Sequence, residues 1–301
     1  MLANADESAA RAAKVAGVVV RELASLTELA AMTALFDEIW EPDSGGSSVR
    51  LDLLRALTKS GNYASGAYDV QSGQLLGACL GFFGPPAHAE LHSHIAGVIP
   101  AGLGRSVGFA LKVHQRAWCL RRGVRVIAWT YDPLIRRNAY FNLVKLGARP
   151  AEYLRNFYGV MDDAINAGTE TDRVLVHWDL RSGAASDASA GRPRPASFES
   201  ERSRGAAVAL SADTGGGPAA GLPLADETRA RALLVGVPAD IEAMRLSDPV
   251  RAAAWRTALR DVLSPAMAGG ARVTGFDRSG WYVVSPHGGK QDLGGEEDEE
   301  K

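Results

Sequence analysis

The chain has 301 residues, of which 46% are hydrophobic and 23% are charged, proportions typical of a globular protein in water. Its formal net charge of −2, with no block of basic residues, argues against broad nucleic-acid binding. No stretch approaches the roughly 18 apolar residues of a membrane-spanning helix, and the N-terminus does not resemble a secretory signal. We therefore expect a cytoplasmic protein that binds neither membrane nor nucleic acid.

The two cysteines, Cys79 and Cys119, both lie inside apolar runs. This placement predicts reduced core residues, as is usual in the cytosol. Two cysteines cannot form a tetrahedral zinc site alone. The histidines His88, His92 and His94 could suggest a metal, but their spacing is loose, and no metal is expected.

Hydrophobic periodicity over 18–180 predicts one α/β domain with the element order β-α-α-β-β-β-α-β-α-β-β. A capping box, Ser25 with Glu28 three residues later, begins the first helix of this order. The predicted strands are 17–23, 63–70, 74–83, 90–99, 125–130, 152–158 and 172–180, and the predicted helices are 25–40, 49–60, 106–122 and 134–146.

The rest of the chain divides by composition. Residues 1–17 and the acidic tail 287–301 are expected to be disordered. Residues 181–225, rich in Ser, Gly, Ala and Pro, are predicted to be a flexible linker or long loop with one short strand near 205–210. Residues 226–286 are predicted to form a small αβ module that packs on the first domain and shapes an acceptor pocket, or makes a homodimer contact.

Three glycines, Gly102, Gly104 and Gly108, mark the change from a strand to a helix. The loop is not a P-loop, because no Gly-Lys-Ser/Thr follows, and the spacing GxGxxxG differs from the dinucleotide fingerprint. A helix N-terminus with unpaired N–H groups nevertheless attracts phosphate. The loop is therefore either an anion-binding turn or an ordinary strand-to-helix connection.

The pattern V-x-P-x-x-x-G-R-x-V-G-x-A-L over this loop resembles the GNAT acetyltransferase superfamily, whose loop reads Gln/Arg-x-x-Gly-x-Gly/Ala. Gly108 matches the last family glycine, whereas Leu103 and Ser106 depart from the pattern. A second match is RNAYFNLVKLGA, in which Asn138, Lys145 and Gly147 fit a later helix of the family. The family's general-acid tyrosine falls on Leu143.

The resemblance covers about 18–180, and a narrower likeness to predicted bacterial GNAT proteins extends it to about 284. It implies a mixed, splayed central sheet flanked by helices, with the C-terminal αβ module appended. It also implies acetyl-CoA or another acyl-CoA as co-substrate. The implied CoA-binding residues are Ile95, Ala96, Gly97, Val98, Leu103, Gly104, Arg105, Ser106, Val107, Gly108, Phe109 and Asn138.

Acyl transfer from a thioester needs a base for the incoming amine or hydroxyl. Glu90, His92 and His94 are expected to alternate onto one face of the strand before the loop, together with Ala96 and Val98. The three titratable side chains are the candidate bases, or else ordinary core and surface side chains. Tyr140 is a candidate acid in place of the missing tyrosine. Tyr131 and Asp132, at the end of the next strand, are candidate substrate contacts, or parts of a turn and the core.

These features together predict an acyl-CoA-dependent acyltransferase, in particular an N-acetyltransferase, that acts by direct attack on the thioester. The acceptor would be a small molecule or a protein with an amine or a hydroxyl. The alternatives are a non-catalytic acyl-CoA-binding or regulatory protein of the same fold, which the missing tyrosine and the altered loop favour, and a different CoA-ester-processing enzyme.

Overall fold

A computed structural model describes residues 2–40, 47–85, 88–159, 170–221 and 230–285. Within these ranges, seven strands form a sheet in the spatial order β1-β2-β3-β4-β5-β7-β6. Neighbouring strands are antiparallel except β4 and β5, which run parallel. The strands are β1 (Val18–Glu22), β2 (Tyr63–Asp69), β3 (Leu75–Phe83), β4 (Glu90–Val98), β5 (Val126–Tyr131), β6 (Arg149–Leu154) and β7 (Arg173–Asp179).

Helices cover both faces of this sheet. Successive residues of a strand point to opposite faces: Gly77 of β3 packs against Leu111 of α4, whereas Gly97, which pairs with the next β3 residue, packs against Trp40 of α2. The helices are α1 (Leu2–Ala16), α2 (Leu26–Trp40), α3 (Leu51–Lys59), α4 (Val107–Arg121) and α5 (Arg136–Tyr140), which continues as a π-helical turn over Phe141–Lys145. The predicted fold class, a mixed sheet flanked by helices with an appended αβ module, is confirmed.

The capping box predicted at the start of α2 is formed. Glu28 accepts a hydrogen bond from the backbone N–H of Ser25 at 2.9 Å, and the backbone N–H of Glu28 donates to the Ser25 hydroxyl at 3.3 Å. Two backbone donors at the helix N-terminus are thereby satisfied. The order of elements over 18–180 also agrees with the sequence prediction.

The expectation of disorder over 1–17 is corrected by α1. One side of this helix buries small residues at helical spacing, Ala5, Ser8, Ala12 and Ala16, and α1 lies against α4. Small side chains let the two helices approach closely, and Asp6 forms an ion pair with Arg121 of α4. A segment of mostly small residues is therefore ordered here by close packing against α4.

The expected linker over 181–225 is also corrected, as far as residue 221. It contains α6 (Gly183–Ser189), α7 (Phe198–Ser203), β8 (Ala207–Ala212) and β9 (Pro218–Ala220). Both helices are capped by serine side chains: Ser182 accepts from the N–H of Ala185, and Ser197 accepts from the N–H of Ser200. The predicted short strand is confirmed as β8, which pairs with strands on both sides and so ties this segment into a sheet. Residues 222–225 lie outside the described ranges.

The C-terminal module contains a second sheet in the order β11-β12-β10-β8-β9, so it begins before the expected boundary at 226. Its further elements are β10 (Leu233–Gly236), α8 (Ile241–Ser247), α9 (Pro249–Ala268), β11 (Arg272–Asp277) and β12 (Trp281–Ser285). Asp248 separates α8 from α9 and caps α9, whose first residue is Pro249. One hydrophobic core continues from Trp178 of the first sheet to Trp255 of α9. The expected acidic tail, 287–301, lies outside the described residues.

None of the described helices is both long and apolar enough to cross a membrane. Cys79 and Cys119 are buried free thiols, in agreement with the sequence prediction. Trp118 and Trp129 are also buried.

We expect the stability of the fold to fall on acidification because of His114 of α4. Its Nδ1 lies 2.8 Å from the Tyr63 hydroxyl, and burial lowers the pKa of His114 from 6.5 to about 4. Below pH 6.5 the His114 side chain is protonated in the unfolded chain but stays neutral in the folded chain until the pH approaches 4. The free energy of unfolding therefore decreases as the pH falls towards 4. The loss is about 3 kcal/mol.

Urea unfolding of the parent and of His114→Gln at pH 7, 5.5 and 4.5 measures this effect. The stability of the variant relative to the parent is expected to rise as the pH falls. Parallel losses in the two proteins would show that other groups cause the acid sensitivity.

Candidate active site

The two parallel strands separate soon after they meet. β4 pairs with β5 only over three residues, Glu90 to His92 with Val126 to Ala128. β4 continues to Val98 and β5 continues to Tyr131, with no further pairing between them in the described structure. We call this feature the fork. The backbone N–H and C=O groups of β4 that face β5 beyond the fork have lost their strand partner, and a ligand can use them.

A β-bulge lies directly beyond the fork. Leu80 of β3 opposes Ile95, and the next residue, Gly81, opposes Ser93, so His94 is an extra residue in β4. A bulge re-aims the side chains that follow it. For this reason the expected alternation of one face through Ala96 and Val98 does not hold.

The predicted CoA-binding residues of β4 alternate between the two faces of the sheet beyond the bulge. Gly97 lies against the ring of Trp40, and a Cβ at this glycine would come within 2.7 Å of that ring. Val98 lies on the opposite face, close to Leu111 of α4. The residues Ile95, Ala96, Gly97 and Val98 thus line the edge of β4 that has separated from β5.

The glycine loop between β4 and α4 presents a run of unpaired backbone donors. Gly104 and Ser106 have positive φ angles, 76° and 63°, and α4 begins at Val107. None of the backbone N–H groups from Gly104 to Phe109 donates to an acceptor in the described structure, and the first bond of α4 runs from Ala110 to Ser106. Such a series of N–H groups at a helix N-terminus attracts anions.

Two side chains of the loop point elsewhere. Arg105 forms an ion pair with Asp69 at 2.5 Å and lies 3.4 Å from the carbonyl oxygen of Ala16 at the end of α1. Backbone hydrogen bonds from Ser72, together with Arg105, hold the pKa of Asp69 below its usual value. Arg105 therefore ties the loop to the first sheet, and Leu103 is exposed.

The candidate bases gather around one aromatic ring. The centroid of Phe82 lies 5.0 Å from that of His92 and 5.6 Å from that of His94, and the two imidazoles are 6.1 Å apart. Desolvation lowers the pKa of both histidines, which favours neutral rings that can accept a proton at pH 7. His94 retains contact with solvent, and Glu90 lies at the start of the strand, before the fork.

Tyr131 and Asp132 join the end of β5 to the C-terminal module. The Tyr131 hydroxyl lies 3.1 Å from that of Tyr282 on β12. Asp132 is buried, accepts from Arg256 at 3.0 Å and forms an ion pair with Arg245. Burial opposes ionisation of Asp132, but the neighbouring arginines outweigh it and lower the pKa of the carboxyl. Both side chains therefore have structural partners.

The helix after β5 carries the remaining candidates. Asn138 and Tyr140 are half-buried in α5, and Tyr140 packs against the core. Leu143, at the position of the family tyrosine, is buried in the π-helical turn. That turn therefore has no acid side chain at this position.

The sequence did not single out a buried lysine on α4. Lys112 is 5% exposed and lies between β4 and β5 at the fork. A signal was present, because Lys112, Gln115 and Arg116 form a polar stripe at spacing i, i+3, i+4 on a helix that the sheet must cover. No group of three His, Cys, Asp or Glu side chains converges as a metal site in the described part of the chain.

No protein-family model matches the chain, and no curated protein matches it significantly. Solved structures similar to it are GNAT acetyltransferases. A phosphinothricin acetyltransferase from Sinorhizobium meliloti in complex with AcCoA is 15% identical, with TM-score 0.45, and the match covers 55% of this chain and 89% of that one. A ribosomal-protein-alanine N-acetyltransferase from Brucella melitensis is 15% identical, with TM-score 0.45, and the match covers 54% of this chain and 99% of that one. An N-acetyltransferase from Staphylococcus aureus is 16% identical, with TM-score 0.44, and the match covers 55% of this chain and 99% of that one.

Proposed function

We propose that this protein transfers an acyl group from an acyl-CoA thioester, acetyl-CoA being the first candidate, to an amine or hydroxyl of a small molecule or protein. One observation carries the proposal. A single segment, 90–109, contains in succession the fork, the bulge and a loop with six unpaired backbone N–H groups. This order supplies a slot for an extended chain and an anion site at its end.

The chemistry of the segment fits a coenzyme A ester. The loop from Leu103 to Phe109 contains no carboxylate that would repel a diphosphate. The free edge of β4 offers N–H and C=O groups that suit the amide groups of pantetheine. An N–H donor aimed at the thioester oxygen would stabilise the negative charge that develops there in the transition state.

The proposed reaction is a direct displacement. The acceptor's lone pair attacks the thioester carbonyl carbon, forming a C–N or C–O bond, and the C–S bond breaks as sulfur leaves with its electron pair. The proton of the acceptor passes to a base, for which His94 is the first choice and Glu90 and His92 the alternatives. Tyr140 is the candidate that returns a proton to the sulfur.

In the proposed site, Tyr131 and Asp132 contribute to the boundary between the acceptor pocket and the C-terminal module. Their polar atoms are engaged by Tyr282 and by arginines of the C-terminal module. We infer that the module closes the side of the site beyond the end of β5 and so limits the size of the acceptor.

A second candidate function is acyl-CoA binding without catalysis. The observation that favours it is the buried Leu143, which leaves the π-helical turn without an acid where the family has tyrosine. A protein that binds acyl-CoA tightly, with neither acyl transfer to a broad acceptor panel nor thioester hydrolysis, would support this candidate over the enzyme.

Ligand-induced stabilisation tests the proposed donor. Acetyl-CoA at about 100 times its dissociation constant should stabilise the fold by about 2.7 kcal/mol, a melting-temperature shift of about 5 °C for a chain of this size. NAD and ATP should give much smaller shifts. Equal shifts with all three ligands, or no shift with any acyl-CoA, would refute the assignment.

Gly104→Glu should abolish the shift because it places a carboxylate against the phosphates. Gly61→Glu is the matched control: both glycines have positive φ and open space around them, but Gly61 lies in the turn after α3. The control should lose similar intrinsic stability and keep the acetyl-CoA shift. If both variants lose the acetyl-CoA shift, that loss would be explained by backbone strain and not by the charge at position 104.

A further inference from the structure

Helix α4 carries a polar stripe into the interior of the first domain. Lys112 is 5% exposed and Gln115 is fully buried. Lysine is rarely buried at this level unless an acidic partner accompanies it. No described carboxylate lies within 4.0 Å of the Lys112 ammonium, so a different set of contacts holds the charge.

Three groups lie closest to the ammonium, and the centroid of a fourth, the Trp178 ring, is 6.0 Å from Nζ. Nζ donates to the Ser93 hydroxyl at 2.9 Å and to Oε1 of Gln115 at 2.9 Å, and it lies 3.8 Å from the centroid of the Trp129 ring. An ammonium has three N–H bonds. Two hydrogen bonds and one aromatic face therefore satisfy it without an anion.

These contacts lie at the vertex of the fork. His92 and Ala128 form the last parallel pair. Ser93 and Trp129 are the next residues of β4 and β5, and both side chains face α4. The lysine thus contacts the first residue of each strand beyond the last pair, and Ser93 also precedes the bulge residue His94.

The titratable groups around Lys112 do not supply a negative charge at neutral pH. Cys79 of β3 lies beside Ser93, Cys119 lies on α4, and His92 lies on the opposite face of β4, next to Phe82. Burial raises the pKa of both thiols and lowers that of His92. Burial also lowers the pKa of Lys112 from 10.5 to about 8, so the ammonium is retained at pH 7.

We propose that Lys112 is a positioning residue that ties Ser93 of β4 to Trp129 of β5 and so fixes the width of the fork and the orientation of the bulge at His94. This inference rests on the proposed acyl transfer, because the fork is where the acyl group would be held. The diphosphate site of the loop is formed by other atoms and should not depend on Lys112.

The first experiment tests the geometry without any substrate. Tryptophan fluorescence of the free protein is followed from pH 6.5 to 9.5 in the parent, Lys112→Met and Trp129→Phe. A cation against an indole ring alters its emission, so the parent should show a transition near pH 8. Lys112→Met should lack it, and Trp129→Phe should keep at most the smaller part that arises from Trp178, whose ring centroid lies 6.0 Å from Nζ. A parent without a transition, or a transition that persists in Lys112→Met, would overturn the proposed contact.

The second experiment tests the positioning role. Lys112→Met should lower kcat by about 10- to 100-fold, since small displacements of the reacting groups are costly. KM for acetyl-CoA should change by less than about threefold if the loop still binds the diphosphate. The alkaline decline in kcat of the parent, expected near pH 8, should be absent in the variant. Lys145→Met, at an exposed position, is the control and should match the parent.

Ser93→Ala is the alternative variant if Lys112→Met does not fold. It removes only the hydrogen bond between Lys112 and β4 and should also lower kcat, by a smaller factor than Lys112→Met. Folded variants with parental kcat and KM would overturn the positioning role. An acyl adduct on Ser93, detected by mass spectrometry, would also overturn it in favour of covalent catalysis. Absence of acyl transfer in the parent would refute the proposed function, and the fluorescence titration would still decide the contact.

Discussion

Asp132→Asn is expected to lower the free energy of unfolding by about 3–5 kcal/mol, the usual cost of removing one member of a buried charge cluster. The carboxylate is 4% exposed and bonds to Arg245 and Arg256, which are themselves 3% and 7% exposed. The asparagine amide cannot neutralise these guanidinium groups, and their desolvation is then no longer offset. Since Asp132 follows β5 and both arginines belong to the C-terminal module, the loss should loosen the contact between the two sheets.

Urea unfolding at pH 7 with tryptophan emission measures this effect. Asp187→Asn is the control, because Asp187 pairs with two arginines, Arg192 and Arg194, that are largely exposed, whereas the three arginines paired with Asp132 are buried or nearly so. An exposed pair contributes at most about 1 kcal/mol. Equal losses in the two variants would contradict a special role for burial. A loss below about 1 kcal/mol in Asp132→Asn would show that the buried cluster does not hold the module.

The sequence predicted those parts of the fold that local patterns encode. The capping box at Ser25 and the strand and helix periodicities identify the elements of the first domain correctly. Helix α1 was missed, and strand β8 was predicted only as a short strand within a linker. Both are rich in alanine and serine, which carry little hydrophobic signal even where they pack closely. Composition alone therefore underestimates order in segments whose partners are far away along the chain.

The candidate site divides in the same way. The glycine loop and the histidines of β4 are visible in the sequence, since they lie in one continuous segment. The partners of Asp132 are not, because Arg245 and Arg256 follow it by 113 and 124 residues. The bulge at His94 also depends on the pairing of β3 with β4, so strict alternation along β4 gave the wrong face for Val98.

We expect His94→Gln to reduce the rate of acyl transfer by roughly 10²–10⁴, the usual contribution of a general base. Glutamine keeps much of the size and hydrogen-bonding capacity of histidine but cannot take up the proton of the acceptor. His94 is favoured because it lies at the bulge and stays in contact with solvent, where an acceptor can approach. Glu90→Gln should have the smaller effect, since Glu90 lies where β4 and β5 are still paired.

The pH profile separates a base from a structural histidine. The pKa of His94 is lowered by burial, so the parent should keep its rate down to below pH 6.5 and lose it only as the ring becomes protonated. The residual rate of His94→Gln should not show this acid limb. His88→Gln, an exposed histidine just before β4, should behave as the parent. Acetyl-CoA binding by His94→Gln should be nearly unchanged, because the proposed contacts to the coenzyme come from backbone groups. A folded His94→Gln protein with a parental rate would exclude His94 as the base, whereas loss of acetyl-CoA binding would make its role structural.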